Sequence, residues 1–230
     1  MTAPAKRRSR DPAATREAIL EASGHLLAKD GPEGISLSEV AHLAGVNRGT
    51  AYQHFETREN LIQATTAWVS DKLFRAAFGD PATIGERRVE EVDTQDLTDR
   101  VSQFAMENPE LCRVWLMQLL ASPDPSGDMF WREYQGSLDR FARTDMAVPG
   151  VDSEAMAVLT LAGMFLWPVW ARAKGGDEAG RAAQARRIAN ETLRLSMYGS
   201  MRAERFPEIA ARLHKLAKVP AAEPADGLQP

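Results

Sequence analysis

The chain has 230 residues, 44% apolar and 26% charged, with a formal net charge of −4, the composition of a soluble globular protein with one large domain or a small one joined to a larger. One cysteine, Cys112, excludes an intramolecular disulfide and fits a reducing cytosol. MTAPAKRRSRDP at the start is basic but has no apolar stretch behind it, so no secretory signal is read there.

Helical spacing dominates, and no stretch alternates apolar and polar residues long enough for a strand, so the expected class is all-α. Residues 1–10 read as a disordered basic arm with Lys6, Arg7, Arg8 and Arg10. Asp11 caps a first helix with Pro12 at its first position, where a missing N–H costs nothing. It carries Ile19, Ala22, Leu26 and Leu27 on one stripe to about Lys29, and Gly31-Pro32 stops it. Ser36-Leu37-Ser38-Glu39 is a capping box, with Ser36 accepting from the residue 39 amide and Glu39 reaching back. It opens a short second helix that turns Val40, Ala41 and Ala44 inward and ends at Gly45. Asn47 caps a third helix through about Phe55. Thr57 caps a fourth, with Leu61, Ile62, Thr65, Trp68, Val69 and Leu73 along one face, ending near Gly79-Asp80-Pro81.

Beyond Pro81, helices are expected at 96–107, 109–121, 128–143, 152–173, 177–202 and 207–218, with room for another turn or two in 82–95. The tail, 219–230, is rich in Pro and Ala and reads as disordered. The domain division is an arm 1–10, a helix-turn-helix unit 11–60, a larger helical body 61–218 and the tail. The apolar run Ala155–Trp170 falls short of the roughly 20 residues a membrane-spanning helix needs and holds Thr160, Gly163 and Pro168; it reads as a helix buried in protein, with no membrane partner.

Three short helices with a Gly turn between the second and third describe a helix-turn-helix, in which one helix enters the major groove and another braces it. Val46, Ala51 and Phe55 fall on the inner side of the third helix. Arg48, Gly49, Tyr52 and Gln53 fall on the outer side, offering a guanidinium, a gap, a phenol and an amide to phosphates and base edges. Residues 15–61, in the segments TREAIL, LLAKDGPEGISLSEVAHLAGV, RGTAYQHF and TRENL, resemble the N-terminal DNA-binding domain of the TetR family of transcriptional regulators. The resemblance covers about a fifth of the chain. It implies a homodimer with a ligand-binding C-terminal core, most often a repressor released by a small molecule.

By position, the resemblance places Arg48, Thr50, Tyr52, Gln53 and His54 in the recognition helix, with Tyr52 and His54 toward phosphates and Arg48 and Gln53 toward bases. It puts Ser36 and Ser38 at the start of the bracing helix and Arg58 at the start of the fourth, both toward phosphate. Ala51 departs from the pattern, which usually has Leu or another larger apolar residue there. The acidic balance does not oppose this reading. Residues 1–16 carry +4, residues 1–60 hold eight charges of each sign, and the net −4 belongs to the rest; local patches set nucleic-acid affinity.

The resemblance also implies a pocket among the middle helices. The candidates are Phe104, Trp115, Gln118, Leu119, Phe130, Tyr134 and Phe165, with Gln103, Gln118 and Tyr134 as polar anchors for a small, hydrophobic ligand. It makes the helices at 152–173 and 177–202 the dimer pair, with Ala155, Leu159, Ala162, Gly163, Leu166, Ile188 and Leu195 as interface candidates. Pro168 should kink the first of them. The expected partners are a double-stranded DNA operator, a second copy and a small-molecule effector, in the cytoplasm. His25, His42, His54 and His214 have no metal-ligand spacing, and no phosphate loop or GxSxG elbow occurs, so no metal, cofactor or catalytic residue is expected. Open alternatives are a corepressed repressor, an activator, or a helical enzyme or binding module that keeps the helix-turn-helix as scaffold.

Overall fold

Ten α-helices follow one another through residues 11–82, 89–171 and 177–217, which the computed structural model describes. The expected basic arm and the C-terminal tail lie outside the described residues. The helices are α1 Pro12–Asp30, α2 Leu37–Leu43, α3 Arg48–His54, α4 Arg58–Phe78 and α5 Thr94–Glu107. They continue as α6 Pro109–Ala121, α7 Met129–Ala142, α8 Ser153–Ala171, α9 Glu178–Gly199 and α10 Pro207–Ala217. No strand occurs among the described residues, and the class is all-α.

Short polar side chains set most of the helix starts. Asp11, Ser36, Asn47, Thr57, Asp93, Asp128 and Asp177 each accept a hydrogen bond from a first-turn amide, a contact worth about 1 kcal/mol of helix stability. Asp93 starts α5 two residues before the sequence expectation. At the other end, α9 stops at Gly199 rather than 202. There the chain turns out to pair with 146–148, Val148 N donating to Ser200 O at 2.9 Å and Arg202 N to Met146 O at 3.0 Å.

The first three helices close around Ile19, Val40, Ala51, Phe55 and Leu61. The body closes around Val69, Leu73, Trp115, Phe130, Leu161 and Phe165. Helix α4 runs unbroken through both, with Leu61 in the first core and Val69 in the second. Helix α6 also reaches the head: Val114 packs into its core, and Arg113 donates to the Ala28 carbonyl near the end of α1. The head therefore seats on two body helices. Cys112 is wholly buried, and desolvation pushes its thiol pKa up, which keeps it a protonated core side chain.

Candidate functional site

Helix α3 has two faces of opposite character. Ala51 and Phe55 are buried, and Val46 packs against them from the preceding turn. Arg48, Gly49, Tyr52 and Gln53 are exposed, as the helical spacing predicts, while Thr50 and His54 sit half-buried at the edges. Ala51 is only 1% exposed, so the small side chain leaves α3 lying close on the core. The Arg48 guanidinium lies over the Tyr52 ring, 5.3 Å from its centroid, and Nη2 stands 3.4 Å from the phenol oxygen. A cation held on an aromatic face is partly desolvated and pre-positioned, so less side-chain entropy is lost on contact with a ligand.

The turn into α3 is fixed by two glycines and a cap. Gly45 has φ +64°, the left-handed region that disfavours a side chain. No other atom lies within 4 Å of where its Cβ would be, so a substitution there is penalised by the backbone alone. Gly45→Ala is expected to lower the unfolding free energy by about 1 kcal/mol and Gly45→Asn by less, in urea titrations. Gly49 serves the cap instead. Asn47 Oδ1 accepts from Thr50 N at 2.7 Å, and a Cβ on residue 49 would stand 3.3 Å from that oxygen.

Around α3, Ser36 accepts from Glu39 N at 3.2 Å, and its hydroxyl donates to Glu39 Oε2 at 2.8 Å. Glu39 thus reaches back, as the capping box implies, and meets the Ser36 hydroxyl. Ser38 is exposed on α2. Arg58 is half-buried at the start of α4, between Glu33 (3.7 Å) and Glu59 (3.3 Å), so nearby carboxylates already balance its charge. Sequence reasoning missed Arg16. Its guanidinium lies over the Phe55 ring at 5.2 Å, bringing a cation from α1 to the end of α3. Only the packing of α1 on α3 shows this.

The α8–α9 pair presents an apolar surface to water. Leu159 is 73% exposed and Leu195 58%, with Leu166, Val169, Trp170 and Tyr198 also exposed. Ala155 and Gly163 lie bare on the same side, Ala162 is half-buried, and Ile188 packs partly on the body core. A shallow groove between the two helices runs past Ala155, Leu159, Gly163, Ile188 and Leu195. By length and composition α8 could cross a membrane, but Ala157, Leu161, Met164 and Phe165 on its other side are buried against protein.

The body holds a cavity of about 90 Å³ between α5, α7, α8, α9 and the segment leading into α10. Of the side chains expected around a pocket, Tyr134 lines it. Trp115, Phe130 and Phe165 are instead wholly buried in edge-on contact, Trp115 lying 5.3 Å from Phe130 and 5.6 Å from Phe165. Phe104 packs half-buried against that same core. Gln118 and Leu119 line an open groove between α4 and the α6–α7 connection. Gln103 is exposed and donates to Glu107 at 2.6 Å. These three rings fill the space where α6, α7 and α8 meet, and the void lies apart from them, lined by Tyr134, Phe141, Phe206 and four methionines among others. A signal for it was present in the spacing: Thr94, Thr98 and Val101 on α5, and Met156, Thr160 and Met164 on α8, recur on one helical face.

Residues 19–65 match the family model for bacterial regulatory proteins of the tetR family. An HTH-type transcriptional repressor of Mycobacterium tuberculosis is 34% identical over 93 residues, 39% of this chain and 50% of that protein. The chain thus spans about half the length of the curated relatives it matches first. A crystal structure of a gamma-butyrolactone receptor superimposes with a TM-score of 0.60 at 22% identity, over 89% of this chain and 98% of that one. AibR, in complex with isovaleryl coenzyme A and operator DNA, superimposes with a TM-score of 0.56 at 16% identity, over 77% and 97%. At such identities the likeness to the solved structures is one of fold, and it extends from the head through the helical body. Family model and curated relatives agree that residues 19–65 resemble the DNA-binding segment of the tetR family of bacterial regulatory proteins, and the solved structures extend that likeness, as one of fold, through the body.

Proposed function

We propose that this protein is a cytoplasmic, homodimeric transcriptional repressor that a small molecule releases from its operator. The observation that carries the reading is the outward face of α3: Arg48, Tyr52 and Gln53 exposed together, on a helix whose opposite face is locked by Ala51 and Phe55. Two copies joined through α8 and α9 present their α3 helices to successive major grooves, so the operator is an imperfect palindrome. The relative from Mycobacterium tuberculosis is a repressor, and the AibR structure holds both operator DNA and an acyl ligand. Here the ligand enters the body cavity. Its preference for one spacing of the two heads shifts the population away from the DNA-competent state. Helix α4, packed on the cavity-lining helices α5 and α7, and α6, packed on α8 and seating α1, connect the cavity walls to the head.

An operator selected from random duplex DNA supplies the test. Tyr52→Ala removes the ring that holds Arg48 in place and a phenol aimed outward. The variant should bind that operator roughly tenfold more weakly at fixed salt, in line with one lost contact, and keep the mass of the wild type in sedimentation. Unchanged affinity in an anisotropy titration would count against α3 as the reading helix. Failure to select any preferred sequence would count against the function.

A further inference from the structure

We propose that the body cavity takes an uncharged, slender aliphatic molecule that brings one hydrogen-bond donor, a hydroxyl or an amide N–H. The inference rests on the reading of the body as the effector-binding part and goes beyond it by assigning the effector's chemistry.

Charge comes first. Arg140 carries the one charged side chain on the cavity wall among the described residues, and it lies toward the rim, 47% exposed. Its Nη2 donates to Glu133 Oε1 at 2.8 Å and to Ser137 Oγ at 2.9 Å, so a carboxylate already balances it. Inside, the polar atoms are hydroxyls. A charged ligand group would lose its water and meet no unmatched opposite charge, which is costly.

Four of the hydroxyl protons on the wall are already committed. Thr98 and Thr160 each donate to the carbonyl one turn earlier, at 2.7 Å, and Ser196 does so at 2.9 Å. Tyr134 lies 3.1 Å from the Thr160 oxygen, and because the Thr160 proton points to Met156 O, Tyr134 is the donor of that pair. Burial also pushes the Tyr134 pKa up, an effect its bond to Thr160 opposes, so the phenol stays neutral. What these four groups have left to offer is acceptor lone pairs. Beside these four groups a ligand that brings a donor is satisfied, and one with acceptors alone is not.

Shape follows from the side chains that would have to move. The void of about 90 Å³ is smaller than the roughly 300–1,000 Å³ of occupied ligand sites. Four methionines, Met146, Met156, Met164 and Met201, line it. Their unbranched, polarisable side chains re-pack at little cost. They open a channel for a thin chain more readily than a slot for a flat ring system.

Titration calorimetry on the full chain with four probes that share an unbranched eight-carbon chain tests this: 1-octanol, octanoate, octylammonium and 1-methoxyoctane. We expect 1-octanol to bind roughly tenfold or more tightly than either ion and roughly fivefold more tightly than the ether. Leu138→Trp, which fills the cavity from α7, should abolish 1-octanol binding. Thr98→Val, nearly isosteric, should weaken it while keeping the helical circular dichroism of the wild type. Octanoate or octylammonium binding as tightly as the alcohol would overturn the proposal, as would parity of the ether, or no binding by any probe. Those results leave operator binding untouched, so they sink the ligand assignment alone. Loss of the DNA reading would instead appear in the operator selection described above.

Discussion

Leu159→Glu is expected to convert the protein to a monomer and to lower operator affinity on the order of 100-fold. Leu159 projects from a helix whose exposed side is otherwise apolar, and it is 73% exposed in the single chain. Nothing within one copy holds it there, so the substitution should leave the fold unharmed. In a two-fold dimer the same residue enters the interface from both copies, and each change counts twice. Every buried leucine lost removes about 1.5–3 kcal/mol of transfer energy, and each glutamate would have to shed its water beside apolar neighbours. The dimer dissociation constant should therefore rise on the order of 1,000-fold or more. A monomer grips one half-site, and most of the two-site avidity goes with the dimer. Sedimentation and operator titration check both effects, with circular dichroism as the fold control. Met117→Glu on α6, where the side chain is 47% exposed, should change neither mass nor affinity. A Leu159→Glu protein that still sediments as a dimer would remove α8 from the interface.

The head was legible because its instructions are local. Asp11, Ser36, Asn47 and Thr57 sit one residue before their helices and accept from the first turn as the sequence implies. Gly45 takes the positive φ that a turn between α2 and α3 requires. The inward stripe of Val40, Ala51, Phe55 and Leu61 could be read from spacing alone. Contacts between distant segments were not legible. Arg16 over Phe55, Arg113 on Ala28, and the pairing of 146–148 with 200–202 depend on how helices pack, which no window of sequence reports. The cavity was misplaced for the same reason. Ring size does not say where a ring packs: Trp115, Phe130 and Phe165 lie in the core, whereas Tyr134 lines the void together with Phe141 and Phe206.

Asp128→Ala should destabilise the body by about 3–4 kcal/mol, because one carboxylate ties three helices together. Oδ1 accepts from Trp131 N at 2.9 Å and caps α7. The same oxygen accepts from the Ser70 hydroxyl of α4 at 2.7 Å, and Oδ2 accepts from Trp115 Nε1 of α6 at 2.9 Å. Ser70 in turn accepts from Phe130 N at 3.0 Å, which closes the network. Trp115 is wholly buried and Ser70 nearly so, so water cannot easily replace the lost acceptor. Loss of the cap accounts for about 1 kcal/mol, and each stranded buried donor for about 1–3 kcal/mol. Asp128→Asn separates the two contributions. Its amide oxygen can keep the cap and Ser70, but its NH₂ then faces the Trp115 N–H, donor against donor. The Asn variant should fall between wild type and Ala, about 1–2 kcal/mol down. Ser70→Ala combined with Asp128→Ala should cost less than the sum of the two single changes, since the second removes a partner already lost. Urea titrations of the wild type and the four variants, followed by tryptophan fluorescence and circular dichroism, read these differences. An Asp128→Ala protein within about 1 kcal/mol of wild type would mean that α4, α6 and α7 hold their places through apolar packing alone, and the carboxylate would lose its role as the joint between head-bearing and cavity-bearing helices.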